Sequence, residues 1–153
     1  MNQYTELLNY FKSLCEADKF INTFTQGDTS DYDLDKGNIF PVCNIDILSA
    51  NFPNPQTVSF SVQIACMQLR DSNKKTDMDK FWLQDNKVDN LNETLASLNR
   101  MWLIMFKDFE DRKISAEITS SILAVNEWNK NLVDGWLMNV DIILPNTTVS
   151  LCP

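Results

Sequence analysis

The chain contains no histidine and only three glycines among its 153 residues. Without histidine, it lacks both the most frequent general base near neutral pH and the commonest zinc ligand. So few glycines leave little room for a loop that wraps around the phosphates of a nucleotide. No GxSxG or HExxH motif occurs either. The sequence therefore predicts a protein that is not an enzyme and that uses no cofactor and no metal ion.

Long apolar runs and basic clusters are also missing. No stretch approaches the roughly 20 consecutive apolar residues that a membrane-spanning helix needs, and the first residues show no secretory signal. We therefore expect a protein made in a cytoplasm and without membrane contact. The net charge is −8, and the lysines and arginines form no patch with which to displace counterions from a nucleic acid.

The four cysteines are widely separated and include no CxxC pair. Three of them, Cys15, Cys43 and Cys66, lie among apolar residues. A free cysteine in such surroundings behaves as a small hydrophobic side chain. We interpret these three as buried core residues.

The most strongly patterned segment runs from about residue 86 to 109. Apolar side chains recur there at steps of three and four, at Val88, Leu91, Leu95, Leu98, Trp102, Met105 and Phe109. This spacing predicts a long amphipathic helix whose apolar stripe packs on a sheet, with Leu95 and Trp102 buried. The face that we expect to meet solvent carries Asn90, Glu93, Ser97 and Arg100.

The rest of the chain divides into one further helix and several strands. We predict a helix over about 2–18, strands over about 20–26, 39–50, 57–69, 117–126 and 135–144, and a tail over 145–153. Apolar and polar residues alternate from Thr57 to Ile64, which is typical of a strand with one buried face. At Ala65–Met67 the alternation stops, which indicates a β-bulge or deeper burial. This order predicts a single α+β domain over 1–153, a mainly antiparallel sheet packed against two amphipathic helices.

An acidic, turn-rich segment lies between the first two predicted strands. It places Asp31, Asp33 and Asp35 at alternate positions, as at the start of a calcium-binding loop. Such a loop needs glycine at its sixth position and glutamate at its twelfth, where this chain has Lys36 and Val42. We therefore interpret the carboxylates as solvated.

The end of the chain resembles a known family. The segment Gly135–Asn146, followed by Cys152, resembles the C-terminal signature of small virion proteins of tailed bacteriophages of Bacteroidetes, including crAss-like phages. Three other segments match in the same order, namely Phe40–Pro41, Ile64–Met67 followed by Asp71, and Asp85–Asn86 with Asn92, Leu95 and Asn99 behind it. Trp82 and Cys43 depart from the family pattern.

The resemblance implies a structural virion protein with a tail-terminator-like fold. Tail terminators and neck-completion proteins have a similar order of elements and assemble as rings between portal and tail. The chain would then form a homo-oligomeric ring with head-to-tail contacts, bound to other portal, neck or tail proteins. DNA would pass through the ring without specific binding. The alternative is an adaptor protein of a contractile or secretion-like assembly.

Two sets of residues are candidates for roles in such a ring. The expected interface residues are Asp31, Tyr32, Asp33, Phe81, Trp82 and Leu151. The expected lumen residues are Asp71, Asp77 and Asp79, with Asp108, Glu110 and Asp111 as a second set. Carboxylates facing the bore would repel the phosphates of passing DNA and keep the strand centred. The alternative is that the negative charge lies on the outer surface and serves solubility alone.

Overall fold

The computed structural model describes residues 3–28, 40–70, 86–110, 115–126 and 133–146. These ranges contain two helices, α1 (Gln3–Ala17) and α2 (Lys87–Glu110). The six strands are β1 (Thr23–Gln26), β2 (Val42–Asn54), β3 (Thr57–Leu69), β4 (Ser115–Ile118), β5 (Leu123–Asn126) and β6 (Val133–Pro145). The segment predicted as one strand over 117–126 is therefore two short strands, because residues 119–122 between them leave the ladder.

The strands form a single sheet in the order β1-β2-β3-β6-β4, and β5 also pairs with β6. β1 runs parallel to β2, and all other pairs are antiparallel. β2 and β3 form the predicted hairpin, with Asn54 opposite Thr57 across a two-residue turn. The predicted α+β class with a mainly antiparallel sheet is confirmed.

The core lies between the two helices and one face of the sheet. The alternating residues of β3 face it as predicted, and Phe60, Val62 and Ile64 lie opposite Ile142, Val140 and Met138 of β6. The large apolar side chains that the helices bury completely are Phe11, Leu98, Met101 and Met105. Burial of these large apolar side chains is the main source of stability of the fold.

Deeper burial explains why the alternation stops at Ala65–Met67. The alternative prediction of a β-bulge there is wrong. The register between β3 and β6 runs without a shift from Thr57 to Leu69. Ala65 and Met67 point away from the helices, yet both are buried, in a second apolar cluster that includes Val133. The bulges of the sheet lie in β2, between Ile47 and Ser49 and between Asn51 and Asn54.

The orientation predicted for the long helix is wrong in its N-terminal half. Leu98, Met105 and Phe109 are buried as expected, but Val88 is 41% exposed and Leu95 36% exposed. Asn90 and Ser97, which we expected to meet solvent, are buried. Trp102 is only partly buried at the margin of the core. In the N-terminal half of α2, the buried stripe is thus shifted by about one residue, or roughly 100°, from the predicted stripe.

Hydrogen bonds explain why α2 buries polar residues there. The Asn90 amide donates to the carbonyl oxygen of Leu69 at 3.0 Å, at the end of β3. The Thr94 hydroxyl donates to the carbonyl of Asn90 at 2.6 Å, one turn earlier. The Trp136 indole N–H of β6 donates to the carbonyl of Leu91 at 2.7 Å. A buried polar group costs little once it is paired, so these bonds permit the orientation.

An ion pair joins α2 to the end of α1. The Arg100 guanidinium donates to both carboxylate oxygens of Asp18, at 2.9 and 3.0 Å, and to the Ser97 hydroxyl at 2.8 Å. Burial acts to raise the pKa of the Asp18 carboxyl. Hydrogen bonds from Arg100 and from the backbone N–H of Phe20, together with the Arg100 charge and Ser97, outweigh burial and lower that pKa below its ordinary value of 3.8.

We expect Asp18→Asn to lower the free energy of unfolding by about 1 kcal/mol at pH 7. The value is modest because the Arg100 side chain is 50% exposed, and solvent screens such pairs. A lowered folded-state pKa gives stability that is present above pH 3.8 and is lost as the pH falls through the folded-state value. The difference from wild type, measured by urea unfolding, should therefore hold from pH 7 to 5 and shrink below pH 3.8. A difference that stays unchanged at pH 2 would contradict the assignment.

Candidate functional site

The interface and lumen residues expected from the sequence lie outside the described residues. This holds for Asp31, Tyr32, Asp33, Phe81, Trp82, Leu151, Asp71, Asp77 and Asp79. Their roles stay predictions. Of the second lumen set, Asp108 is half-buried, and its carboxylate accepts a hydrogen bond from the Tyr10 hydroxyl at 2.9 Å. This bond links α2 to α1. The position of Asp108 on the bore stays a prediction.

An apolar groove of about 390 Å³ lies between α2 and the strands at one edge of the sheet. Its α2 side is lined by Asn92, Leu95, Ala96, Leu98, Asn99 and Trp102. Its sheet side is lined by Ile118 at the end of β4, Ile122 in the connection to β5, and Met138 of β6. None of these lining residues carries a charge.

The groove is a direct consequence of how α2 is turned. Because Asn90, Thr94 and Ser97 point into the core, the apolar residues predicted to be buried are displaced sideways along the helix. Leu95 and Trp102 then lie beside the core and form one wall of the groove. The signal missed in the sequence is that Asn90 has a partner far away in the chain, the carbonyl of Leu69.

Apolar surface continues from the groove along α2. The Trp102 and Phe106 rings lie 6.0 Å apart between centroids, and Phe106 is 56% exposed. Leu103, on the next stripe of the helix, is 57% exposed. We call the groove together with Leu103 and Phe106 the helix surface. Contiguous apolar area of this kind marks sites of binding more often than single exposed residues do.

A second apolar surface is at the end of the β2–β3 hairpin. Phe52 is 67% exposed, more than any other large apolar side chain described, and Leu48 is 56% exposed. The sequence from Ile47 to Leu69 contains no charged residue. We call residues 48–54 the hairpin tip. The charge-free stretch is visible in the sequence, but its exposure depends on where β2 leaves its neighbour β1, which pairs only with Val42–Ile45.

The three described cysteines are buried, as predicted, and form no disulfide. Cys43 and Cys66 are opposite each other on β2 and β3. A hydrogen bond with Cys43, and then burial, raise the pKa of the Cys15 thiol far above its usual value. For Cys43, the bond with Cys15 favours the thiolate, but the bond with Cys66 and burial outweigh it, so its pKa is also raised. The Cys15 and Cys43 thiols therefore stay protonated at neutral pH and are poor nucleophiles.

Within the described ranges, no three side chains of histidine, cysteine, aspartate or glutamate are grouped so that they could hold a metal ion. The helices described in those ranges are also too short or too polar to cross a membrane. The features that stand out are therefore the two uncharged apolar surfaces.

No protein-family model matches the sequence, and no curated protein matches it significantly. The function proposed below therefore rests on the residues and on the geometry of the two surfaces.

Proposed function

We propose that this chain is a structural subunit of the neck or tail of a tailed bacteriophage. In this proposal, copies join head to tail into a ring through which DNA passes. The observation that carries it is the presence of two uncharged apolar surfaces, the helix surface and the hairpin tip, on different elements of an acidic chain. The sequence resemblance to small virion proteins supplies the biological setting.

A head-to-tail ring needs two different surfaces on each subunit, because one surface of a copy meets another surface of the next. A self-complementary dimer needs only one. Of the eleven exposed large apolar side chains described, five are on α2 and two on β2. The other four, Tyr4, Leu69, Leu123 and Ile143, are spread over α1, β3, β5 and β6. The groups on α2 and β2 can supply the two surfaces that a ring requires. This arrangement favours a ring over a symmetric dimer.

The net charge restricts where copies can meet. Each copy carries −8, so two copies repel each other when charged faces approach. Contact is least opposed where both faces lack charge and can bury apolar area. The helix surface and the hairpin tip meet both conditions.

The acidic balance also fits a channel for DNA. Basic side chains on the bore would bind phosphates and slow passage, whereas carboxylates repel them. Asp71, Asp77 and Asp79 remain our candidates for the bore. The remaining candidates for contacts between copies are Asp31, Tyr32, Asp33, Phe81, Trp82 and Leu151. The structure adds the helix surface and the hairpin tip to the candidate contacts.

The proposal is tested on virions of the phage that carries this sequence. We expect peptides of the chain in gradient-purified particles, at a copy number per particle that equals one ring. Electron microscopy of particles labelled with an antibody against the chain should place it between head and tail. Absence from purified particles, with abundant protein in the infected cell, would overturn the proposal. A chain recovered with a contractile or secretion-like assembly would favour the adaptor alternative.

A further inference from the structure

We propose that the hairpin tip of one copy occupies the apolar groove of the next copy, with Phe52 as the side chain that fills it. The inference rests on the proposed function, because it names the contact that closes the ring. Its occupant is a second copy of this chain.

The groove and the hairpin tip are complementary in size and chemistry. A cavity of roughly 150 Å³ holds a benzene ring, and the groove offers about 390 Å³. It can therefore receive the ring of Phe52 and part of the following Pro53. Burial removes the large apolar area of an aromatic side chain from water. Both surfaces lack charge, so no ion has to be desolvated when they meet.

The hairpin tip cannot reach the groove of its own subunit. β2 and β4 are separated by β3 and β6, a distance of roughly 14 Å at about 4.8 Å per strand. Along the strands, Phe52 lies near the level of Val58, whereas Met138 in the groove pairs with Ile64. Six residues of strand add roughly 20 Å. The contact is therefore between molecules.

The edge of β2 at the hairpin tip is irregular. β2 between Leu48 and Asn54 has β3 on one side and no described strand on the other. Two bulges and Pro53 interrupt this stretch, and such irregularities hinder the addition of another strand. The exposed segment is thus suited to side-chain insertion and not to extension of the sheet.

The groove also offers polar groups at its rim. Asn92 and Asn99 lie two turns apart on α2 and are exposed. Their amides can donate to and accept from the backbone of an inserted turn. The hairpin tip carries backbone groups on its unpaired edge, so the contact would combine an apolar centre with a polar rim.

The test uses two variants of the full chain, each of which damages one half of the contact. Phe52→Asp places a charge on the hairpin tip and leaves the groove intact. Ala96→Trp fills the groove from an exposed position of α2 and leaves the tip intact. Because both positions are exposed, the melting temperature should match that of wild type. Ile104→Asp is the matched control, since Ile104 is 42% exposed on the other side of α2.

We expect wild type and Ile104→Asp to associate with rising concentration in sedimentation equilibrium, while Phe52→Asp and Ala96→Trp associate at least about 10-fold more weakly. A head-to-tail contact makes a further prediction for the mixture of the two variants. The intact tip of Ala96→Trp can enter the intact groove of Phe52→Asp, so the mixture should form a 1:1 complex that grows no further.

Normal association of either variant, or a mixture that stays monomeric, would overturn the inference. Wild type that stays monomeric up to about 1 mM would overturn it as well. None of these results removes the chain from the virion, so they leave the proposed function to its own test. If the variants also enter particles at wild-type copy number, the ring stands and its contact lies elsewhere.

Discussion

Replacing Gly135 with alanine is expected to reduce the free energy of unfolding by at least about 3 kcal/mol, or to prevent folding. A Cβ atom at this position would overlap the carbonyl oxygen of Cys66 and would lie 2.9 Å from the Cys66 carbonyl carbon and the Met67 Cα atom. All three are backbone atoms, so no change of rotamer relieves the overlap. Overpacking of a core by side chains alone already costs about 1–3 kcal/mol.

The location makes this clash costly. Gly135 lies in β6 opposite Met67 of β3, within the most extensively paired pair of strands described. To accept a methyl group, β3 and β6 would have to separate at a point where Ala65, Cys66 and Met67 are all buried. Glycine inside a strand is typical of such a close approach of two backbones.

Gly27→Ala is the control for the general effect of removing a glycine. Gly27 has a φ of +106°, but a Cβ atom there would have no neighbour within 4 Å. Its substitution should cost about 1 kcal/mol through backbone strain alone. Urea unfolding monitored by circular dichroism compares the two variants. A Gly135→Ala protein within 1 kcal/mol of wild type would show that the strands can separate locally at little cost.

The sheet could be predicted because its signal is local. In β3, one residue in two is apolar over Thr57–Ile64, and this period places one face in the core whatever the neighbouring strands are. The hairpin followed from two such segments joined by a short turn rich in proline and asparagine. The parallel pairing of β1 with β2 depends on the course of the intervening chain, which carries no such signal.

The orientation of α2 about its own axis could not be predicted, because its cause is not local in the sequence. A helix with apolar residues on one side is expected to bury them, and Leu95 and Val88 belong to that side. The observed orientation depends on bonds from Asn90 to the carbonyl of Leu69 and from Trp136 to the carbonyl of Leu91. These partners become neighbours only after the sheet has formed. The groove arises from the same orientation, so it could not be predicted from the sequence either.

The second large effect concerns the residue before Gly135. We expect Asp134→Ala to cost about 3–5 kcal/mol, the usual cost of breaking a buried ion pair. Asp134 is fully buried, and the Arg70 side chain is 9% exposed. The guanidinium donates through Nε to one carboxylate oxygen at 2.8 Å and through Nη2 to the other. Truncation leaves a buried guanidinium without its carboxylate.

The pair ties the end of β3 to the start of β6, because Gln68 lies opposite Asp134 in the register. We expect Arg70→Met to cost a similar amount, since it leaves the buried carboxylate without its cation. The double variant Arg70→Met/Asp134→Leu should recover most of the loss, because apolar residues of similar volume can replace a buried pair at little cost. A double-mutant cycle from urea unfolding measures the coupling, which 1 M salt should hardly reduce because the pair is buried. Additive costs of the two single changes, or a strong dependence on salt, would show that Arg70 and Asp134 do not act as a pair in solution.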